Sequence, residues 1–417
     1  MKRAINFFAA LFLTVSILSG CSLSNETPAD VVANDSKNES SQSDSTAEEK
    51  SSEIIILKDL IEPLLEEASA ASSTASVEKK AEEEKEEEKI DKINLVFFGD
   101  SQIANGRSDG SDLSSLITTR IPNSVSYNLG IGGTTAALEQ TTYEYQDYEN
   151  WSSISFIGMV YALQGKVDRN RLLADYPTVL ENMNKVNPQE VDYYIIEYGA
   201  NDFFNQTPLD HTKTDRLPIY SYYGALCKGI DELRTISPNA KFIVMSPFYC
   251  VYKDTAGNII GDSYVVSNGL ATLAEYAKKS VNVCEDNNAI DFDGMFMSHS
   301  DLYMDHIDMY TIDGLHLSLT GRQIFARLLA HVVNWSEGYE PYAYLENDVI
   351  KIEEFNPEEN YRYRDDMLQA YYPEAYEKMM NGEYLLAPPP QGATNDSNSN
   401  SESTEASSDS SSAESGN

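Results

Sequence analysis

The 417-residue sequence predicts an α/β fold built on a central parallel sheet. Between residues 93 and 335, short apolar runs alternate with longer amphipathic stretches, the pattern of repeated βα units. Four short segments follow in one order: Gly99-Asp100-Ser101, Gly130-Ile131-Gly132-Gly133, Gly199-Ala200-Asn201-Asp202 and Asp313-Gly314-Leu315-His316. Each of the first three follows an apolar run, which sets it at the carboxyl edge of such a sheet, where open α/β folds build their sites. Both flanks, by contrast, are too polar to bury a core.

Residues 1–21 carry Lys2 and Arg3, an apolar run from Ile5 to Leu18, and then Ser19-Gly20-Cys21. The run is too short for a membrane span and ends in small residues, as a secretory signal peptide does. It resembles the lipobox of bacterial lipoproteins, which implies lipidation of Cys21 as the mature N-terminus; a plain secretory signal is the other reading. Residues 22–91 are rich in Ser, Glu, Asp, Ala and Lys and read as a disordered acidic tether. Within it, Ile54–Glu67 has helical spacing interrupted by Pro63.

The α/β region spans 92–340. Its candidate strands are Asn94–Phe98, Ser124–Leu129, Val191–Tyr198, Lys241–Ser246 and Ala289–Phe292. Candidate helices lie at 111–120, 134–142, 169–186, 220–236, 264–281 and 320–334. The last opens with Thr320 three residues before Gln323, the spacing of a capping box, and carries Ile324, Phe325, Leu328, Leu329 and Val332 on one face. It would pack the Asp313/His316 loop against the sheet. Residues 341–387, aromatic and charged, read as a helical appendage, and 388–417, opening on Pro388-Pro389-Pro390, as a disordered Ser-rich tail.

Lys and Arg number 30 against 67 Asp and Glu, a net charge of −37. A nucleic-acid binder needs a basic surface to displace counterions, so that class is excluded. Charge-driven attachment to anionic lipid or wall polymer is disfavoured for the same reason. Cys227, Cys250 and Cys284 have no Cys-x-x-Cys spacing and no His cluster beside them, and read as buried thiols rather than a metal site. In an exported chain, oxidation of one pair stays open.

Ser101 emerges where the first strand ends, as an exposed nucleophile requires. A serine is inert without a base; His316 supplies an imidazole, and Asp313, three residues earlier, can hold its other ring nitrogen. The oxyanion formed on attack needs donors, and the backbone N–H groups of Ser101 and Gly133 with the side-chain amide of Asn201 offer three. Gly130 or Gly132 could take the role of Gly133 with a one-loop shift. A second Gly-Asp-Ser, Gly261-Asp262-Ser263, lacks the other segments behind it, and Asp262 or Ser263 reads there as a helix N-cap. His299 and His306 either line the pocket or are structural, whereas His211 and His331 read as solvated or half-buried bystanders. Asp202 is either a second carboxylate in the site or a turn-stabilising side chain. Tyr143, Tyr145, Tyr148, Trp151 and Tyr161, in an insertion after the second segment, would either stack on sugar rings or simply pack.

These segments resemble the SGNH (GDSL) hydrolase family over about residues 93–335. By motif, the name residues are Ser101, Gly133 in Asn-Leu-Gly-Ile-Gly-Gly-Thr-Thr, Asn201 in Gly-Ala-Asn-Asp and His316 in Asp-Gly-Leu-His. The resemblance implies a flavodoxin-like three-layer α/β/α sandwich with no metal and no organic cofactor. The first block departs from the family pattern in carrying Gln102 in place of Leu. The expected function is that of an exported serine esterase, lipid-anchored through Cys21 to the outer face of the cytoplasmic membrane. It would hydrolyse carboxylic esters through an acyl-enzyme, with acylated carbohydrate as partner and O-deacetylation as reaction. A lipase or lysophospholipase, a wall-polymer O-acyltransferase and a non-catalytic binding lipoprotein are the alternatives.

Overall fold

Strands buried on both faces read as continuous apolar runs, and such runs form the inner strands of the sheet. The computed structural model describes residues 92–139, 147–210, 218–356 and 365–387. Cys21 with its signal peptide, the tether with Ile54–Glu67, the 388–417 tail, Tyr143, Tyr145 and His211 lie outside the described residues. The strands are β1 (Ile93–Gly99), β2 (Ser124–Asn128), β3 (Tyr193–Glu197), β4 (Lys241–Met245), β5 (Val251–Lys253), β6 (Ile259–Asp262) and β7 (Ile290–Phe292). Five form a parallel sheet in the order β2-β1-β3-β4-β7. Counting only its own strands this is 2-1-3-4-5, the flavodoxin-like order, in which ligands bind beyond the carboxyl ends of the strands at the β1/β3 switch point. The central strand β3 is buried throughout, and β2, at the edge, is half-buried along most of its length.

Two groups of helices flank the sheet. Leu113–Thr118 packs with Leu319–Ser336, while Phe156–Leu163, Tyr222–Ile236 and Leu273–Asn287 pack one on the next. The sequence pattern missed Phe156–Leu163 because all eight of its residues are buried, so it has no polar face to mark a helical period. The stretch 134–139, expected to be helical, is an irregular loop whose amides are taken by a side chain described below. The expected helix at 169–186 is broken into Arg169–Leu172 and Pro177–Lys185, since Pro177 has no N–H to continue the first and suits the first turn of the second.

The stretch from 264 is not helical until Leu273, because β5 and β6 pair as an antiparallel hairpin that the sequence reading did not find. Asp262 and Ser263 therefore cap no helix. Asp262 Oδ1 accepts from the N–H groups of Tyr264 and Val265 in a turn, and Ser263 Oγ accepts from Cys250 N. The helix following His316 begins at Leu319, capped by Ser318 and not Thr320: Ser318 Oγ accepts from Gly321 N at 3.1 Å. The three cysteines are free, with Cys250 and Cys284 buried.

His331, expected to be a bystander on that helix, is buried in an ionic cluster. Its Nδ1 lies 2.6 Å from Glu340 and its Nε2 3.0 Å from Asp348, which also accepts two bonds from Arg327. Both ring nitrogens face carboxylates, so both carry protons and the ring is an imidazolium. Burial alone would lower its pKa, but the two carboxylates raise it to about 9. The cluster ties the segment leading into the C-terminal helices to the core. Tyr342–Asn347, which runs between the two carboxylates of the cluster, and Asp365–Tyr371 and Pro373–Met380 after it are helical and share a small core of Ala343, Tyr344, Leu368 and Met379.

Candidate active site

The end of β1 is where the chain must turn sharply without a side chain. A Cβ on Gly99 would stand 2.2 Å from Ile103 Cγ1 and 3.0 Å from the carbonyl oxygen of Glu197. Only glycine lets the short helix Ser101–Ala104 start there, with Asp100 Oδ1 accepting from Gln102 N at 2.9 Å. Ser101 is thereby set at the carboxyl edge of the sheet. Asn201 reaches the same edge in the helix Ala200–Phe204 after β3.

His316 arrives from a tight loop. Ile312 N donates to the His316 carbonyl, Gly314 N donates to Thr311 Oγ1, and Val251 N of β5 donates to the Gly314 carbonyl, so the hairpin supports the loop. Ser101 Oγ lies 3.0 Å from His316 Nε2, and His316 Nδ1 lies 2.7 Å from Asp313 Oδ2. A carboxylate on Nδ1 keeps the proton there and leaves Nε2 to accept from the serine hydroxyl. Asp313 Oδ1 also accepts from the backbone N–H of His316 at 2.7 Å and of Leu315 at 3.0 Å. Burial pushes the Asp313 carboxyl up, but the His316 ring and these amides outweigh it and hold it below the ordinary carboxylate range.

Gln102 clamps this arrangement. Its Nε2 donates to the Leu315 carbonyl at 2.8 Å and its Oε1 accepts from Leu317 N at 3.1 Å, gripping the backbone on either side of His316. In sequence it stood out only as a departure from the family pattern; its partners lie more than two hundred residues away, and no periodicity announces them.

Among the described residues, the N–H groups of Ser101 and Gly133 have no protein acceptor. Asn201 Nδ2 donates one of its two protons to Asp100 Oδ2 at 2.8 Å, leaving the other free. Gly130 N is committed to Asn128 Oδ1, which argues against Gly130 as a donor to substrate. Gly132 lies against Ser101, and Gly133 follows it at φ +80°, in the left-handed region that favours glycine. Asp202 acts in the turn: it accepts from Ala136 N at 2.8 Å and Ala137 N at 3.2 Å, pinning the loop that carries Gly133. Burial raises its carboxyl to about 7 against those hydrogen bonds.

A cavity of about 410 Å³ opens beside Gly133. Thr135, Glu139, Asn205, Gln206 and Thr207 give it polar walls, and Ala137, Leu138, Pro208 and Tyr220 apolar ones. Trp151 and Tyr161 are not available to it: both are fully buried and pack on each other and on Tyr148. His299 and His306 bond to the carbonyls of Asp348 and Asp301, which is the structural reading. Among the described residues no His, Cys, Asp or Glu side chains gather in a metal-ligating group.

The family model described as GDSL-like Lipase/Acylhydrolase matches residues 95–329. Among solved structures, the chain is similar to a possible lipase from Chitinophaga pinensis at 17% identity, covering 59% of this chain and 99% of that one with a TM-score of 0.40. A carbohydrate acetylesterase from Sinorhizobium meliloti matches at 15% identity over 58% of this chain and 98% of its own, with a TM-score of 0.37. An acetylxylan esterase from Geobacillus stearothermophilus matches at 19% identity over 56% and 91%, with a TM-score of 0.32. No curated protein matches.

Proposed function

The chain belongs to the GDSL-like lipase/acylhydrolase family, and from that premise we propose that it is a serine esterase removing short acyl groups, O-acetyl above all, from carbohydrate. The observation that carries this reading is the relay from Ser101 through His316 to Asp313, at 3.0 and 2.7 Å. Ser101 Oγ attacks the ester carbonyl while His316 Nε2 takes its proton, and Asp313 stabilises the imidazolium. Negative charge passes to the carbonyl oxygen, where the N–H groups of Ser101 and Gly133 and the free amide proton of Asn201 receive it. The intermediate collapses, the C–O bond to the alcohol breaks, and His316 returns the proton to the departing alkoxide. Water, deprotonated by the same imidazole, then cleaves the acyl-enzyme and frees Ser101.

The cavity beside Gly133 supports a hydroxylated alcohol. Its hydroxyls, amides and carboxylate suit a sugar better than a long acyl chain, which would want a continuous apolar groove. The same proposal sets the enzyme on the outer face of the cytoplasmic membrane, held by a lipid on Cys21, and rests there on the sequence Leu18-Ser19-Gly20-Cys21.

The test is hydrolysis of a chain-length series of nitrophenyl esters and of acetylated glycans by the full-length chain, with Ser101→Ala beside it. Acetate turnover that disappears in the variant is expected. A preference for long chains would move the reading to lipase, and acetyl transfer to a sugar hydroxyl without free acid would make it a transferase.

A further inference from the structure

Behind the proposed site lies a buried acid that the mechanism above does not use. Glu197 ends β3, in register with Gly99 of β1, and its side chain is fully buried. Neither of its carboxyl oxygens is paired in good hydrogen-bond geometry, the backbone N–H of Asp100 making only a weak approach. The group it does lie against is the carboxyl of Asp100, also fully buried. Facing it besides are the carboxyl of Asp202 and the phenols of Tyr198 and Tyr222. Two fully buried carboxylates side by side cannot both ionise, so one proton lies between them.

The surroundings decide which residue keeps that proton. Asp100 receives Gln102 N on Oδ1 at 2.9 Å and Asn201 Nδ2 on Oδ2 at 2.8 Å, so both its oxygens already accept and it is the anion. Glu197 receives no more than the weak approach of the Asp100 N–H, and a protonated carboxyl has one O–H to give. Burial and then the Asp100 charge raise Glu197 well above the ordinary carboxylate range, in agreement with the geometry.

We propose that Glu197 is a positioning residue of the oxyanion hole: a neutral acid that keeps its proton, donates a hydrogen bond through it to Asp100, and so leaves Asp100 an anion. The inference rests on the esterase reading for its consequence but not for the proton itself. An anionic Asp100 can only accept, so the Asn201 side chain must present nitrogen to it, and its second N–H is left to face the substrate. If Asp100 held the proton, the amide could turn over, bond through its oxygen and set like charge against the oxyanion. Glu197 thus selects the face of Asn201 that the reaction needs.

Glu197→Gln keeps a donor against Asp100, while Glu197→Leu removes it. In the full-length chain, Glu197→Gln should hold kcat within about threefold of wild type, and Glu197→Leu should lower kcat at least tenfold with KM unchanged. The loss should vanish in an Asn201→Ala background, because Glu197 acts through that amide. Independently of activity, the infrared spectrum at pH 7 should show the carbonyl band of a buried protonated carboxyl that Glu197→Gln removes. Equal losses in the two variants would overturn the proposal, as would a fully active Glu197→Leu, a loss that persists without Asn201, or a spectrum with no such band. Should Glu197→Leu not fold, Glu197→Gln and the spectrum decide. A chain that hydrolyses no ester but shows the band would refute the esterase reading and leave the protonated Glu197 standing.

Discussion

Alkaline pH should unfasten the C-terminal segment from the core through one histidine. His331 is fully buried with both ring nitrogens on carboxylates, and its pKa stands at about 9 against an ordinary 6.5. The difference corresponds to about 3 kcal/mol between its two protonation states. Below pH 6.5 the ring is protonated in folded and unfolded chains alike, and the whole contribution is present. Between 6.5 and 9 the unfolded chain sheds the proton that the folded chain retains, so stability falls; above 9 the contribution is gone. Urea denaturation of wild type and His331→Gln at pH 6, 7.5 and 9.5 isolates the effect, since other titrations largely cancel in the difference. The stability advantage of wild type should shrink by about 3 kcal/mol from pH 6 to 9.5. A difference that stays flat with pH would refute the imidazolium cluster and leave His331 a neutral hydrogen-bonding residue.

Asn201→Ala should lower kcat by roughly a hundred- to a thousandfold, as loss of one oxyanion donor does, with little change in KM; steady-state kinetics on an acetyl ester checks it. Gln102→Leu should leave Leu317 N and the Leu315 carbonyl unpartnered, costing about 1–3 kcal/mol of stability in denaturant melts and slowing turnover as His316 loses its hold on Ser101. Cys21→Ala should move the protein from the membrane fraction to the medium or soluble fraction, whereas an unchanged distribution would argue for the plain signal reading.

What the sequence made legible followed from periodicity and from short contiguous motifs. The inner strands of the parallel sheet were readable because burial on both faces leaves an unbroken apolar run, as in Leu95-Val96-Phe97-Phe98. Asp313 and His316 were readable together because the bond between them spans three residues. What escaped was set by contacts distant in sequence. Asp100 was read as part of the serine's motif and Gln102 as a departure from the family pattern, neither with a role, although their partners are Asn201 and the backbone at Leu315 and Leu317. His331 looked idle because its two carboxylates lie outside the helix that carries it. The β5–β6 hairpin was hidden for a different reason: Ile259 and Ile260 are exposed, so no inward-facing alternation marks the strand.

The hairpin's bond from Val251 to Gly314 gives the loop of His316 a support that the serine does not share. Ser101 and His316 are 215 residues apart in the chain, and their 3.0 Å contact is backed by the two Gln102 bonds on either side of His316. A molecule assembled this way has a fuse at its seam. If heat or denaturant frees the hairpin while the sheet beneath is still paired, the His316 loop loses its Val251 support and ester hydrolysis should fade ahead of secondary structure. Hydrolysis rate then serves as a more sensitive gauge of damage to this fold than any signal averaged over its backbone.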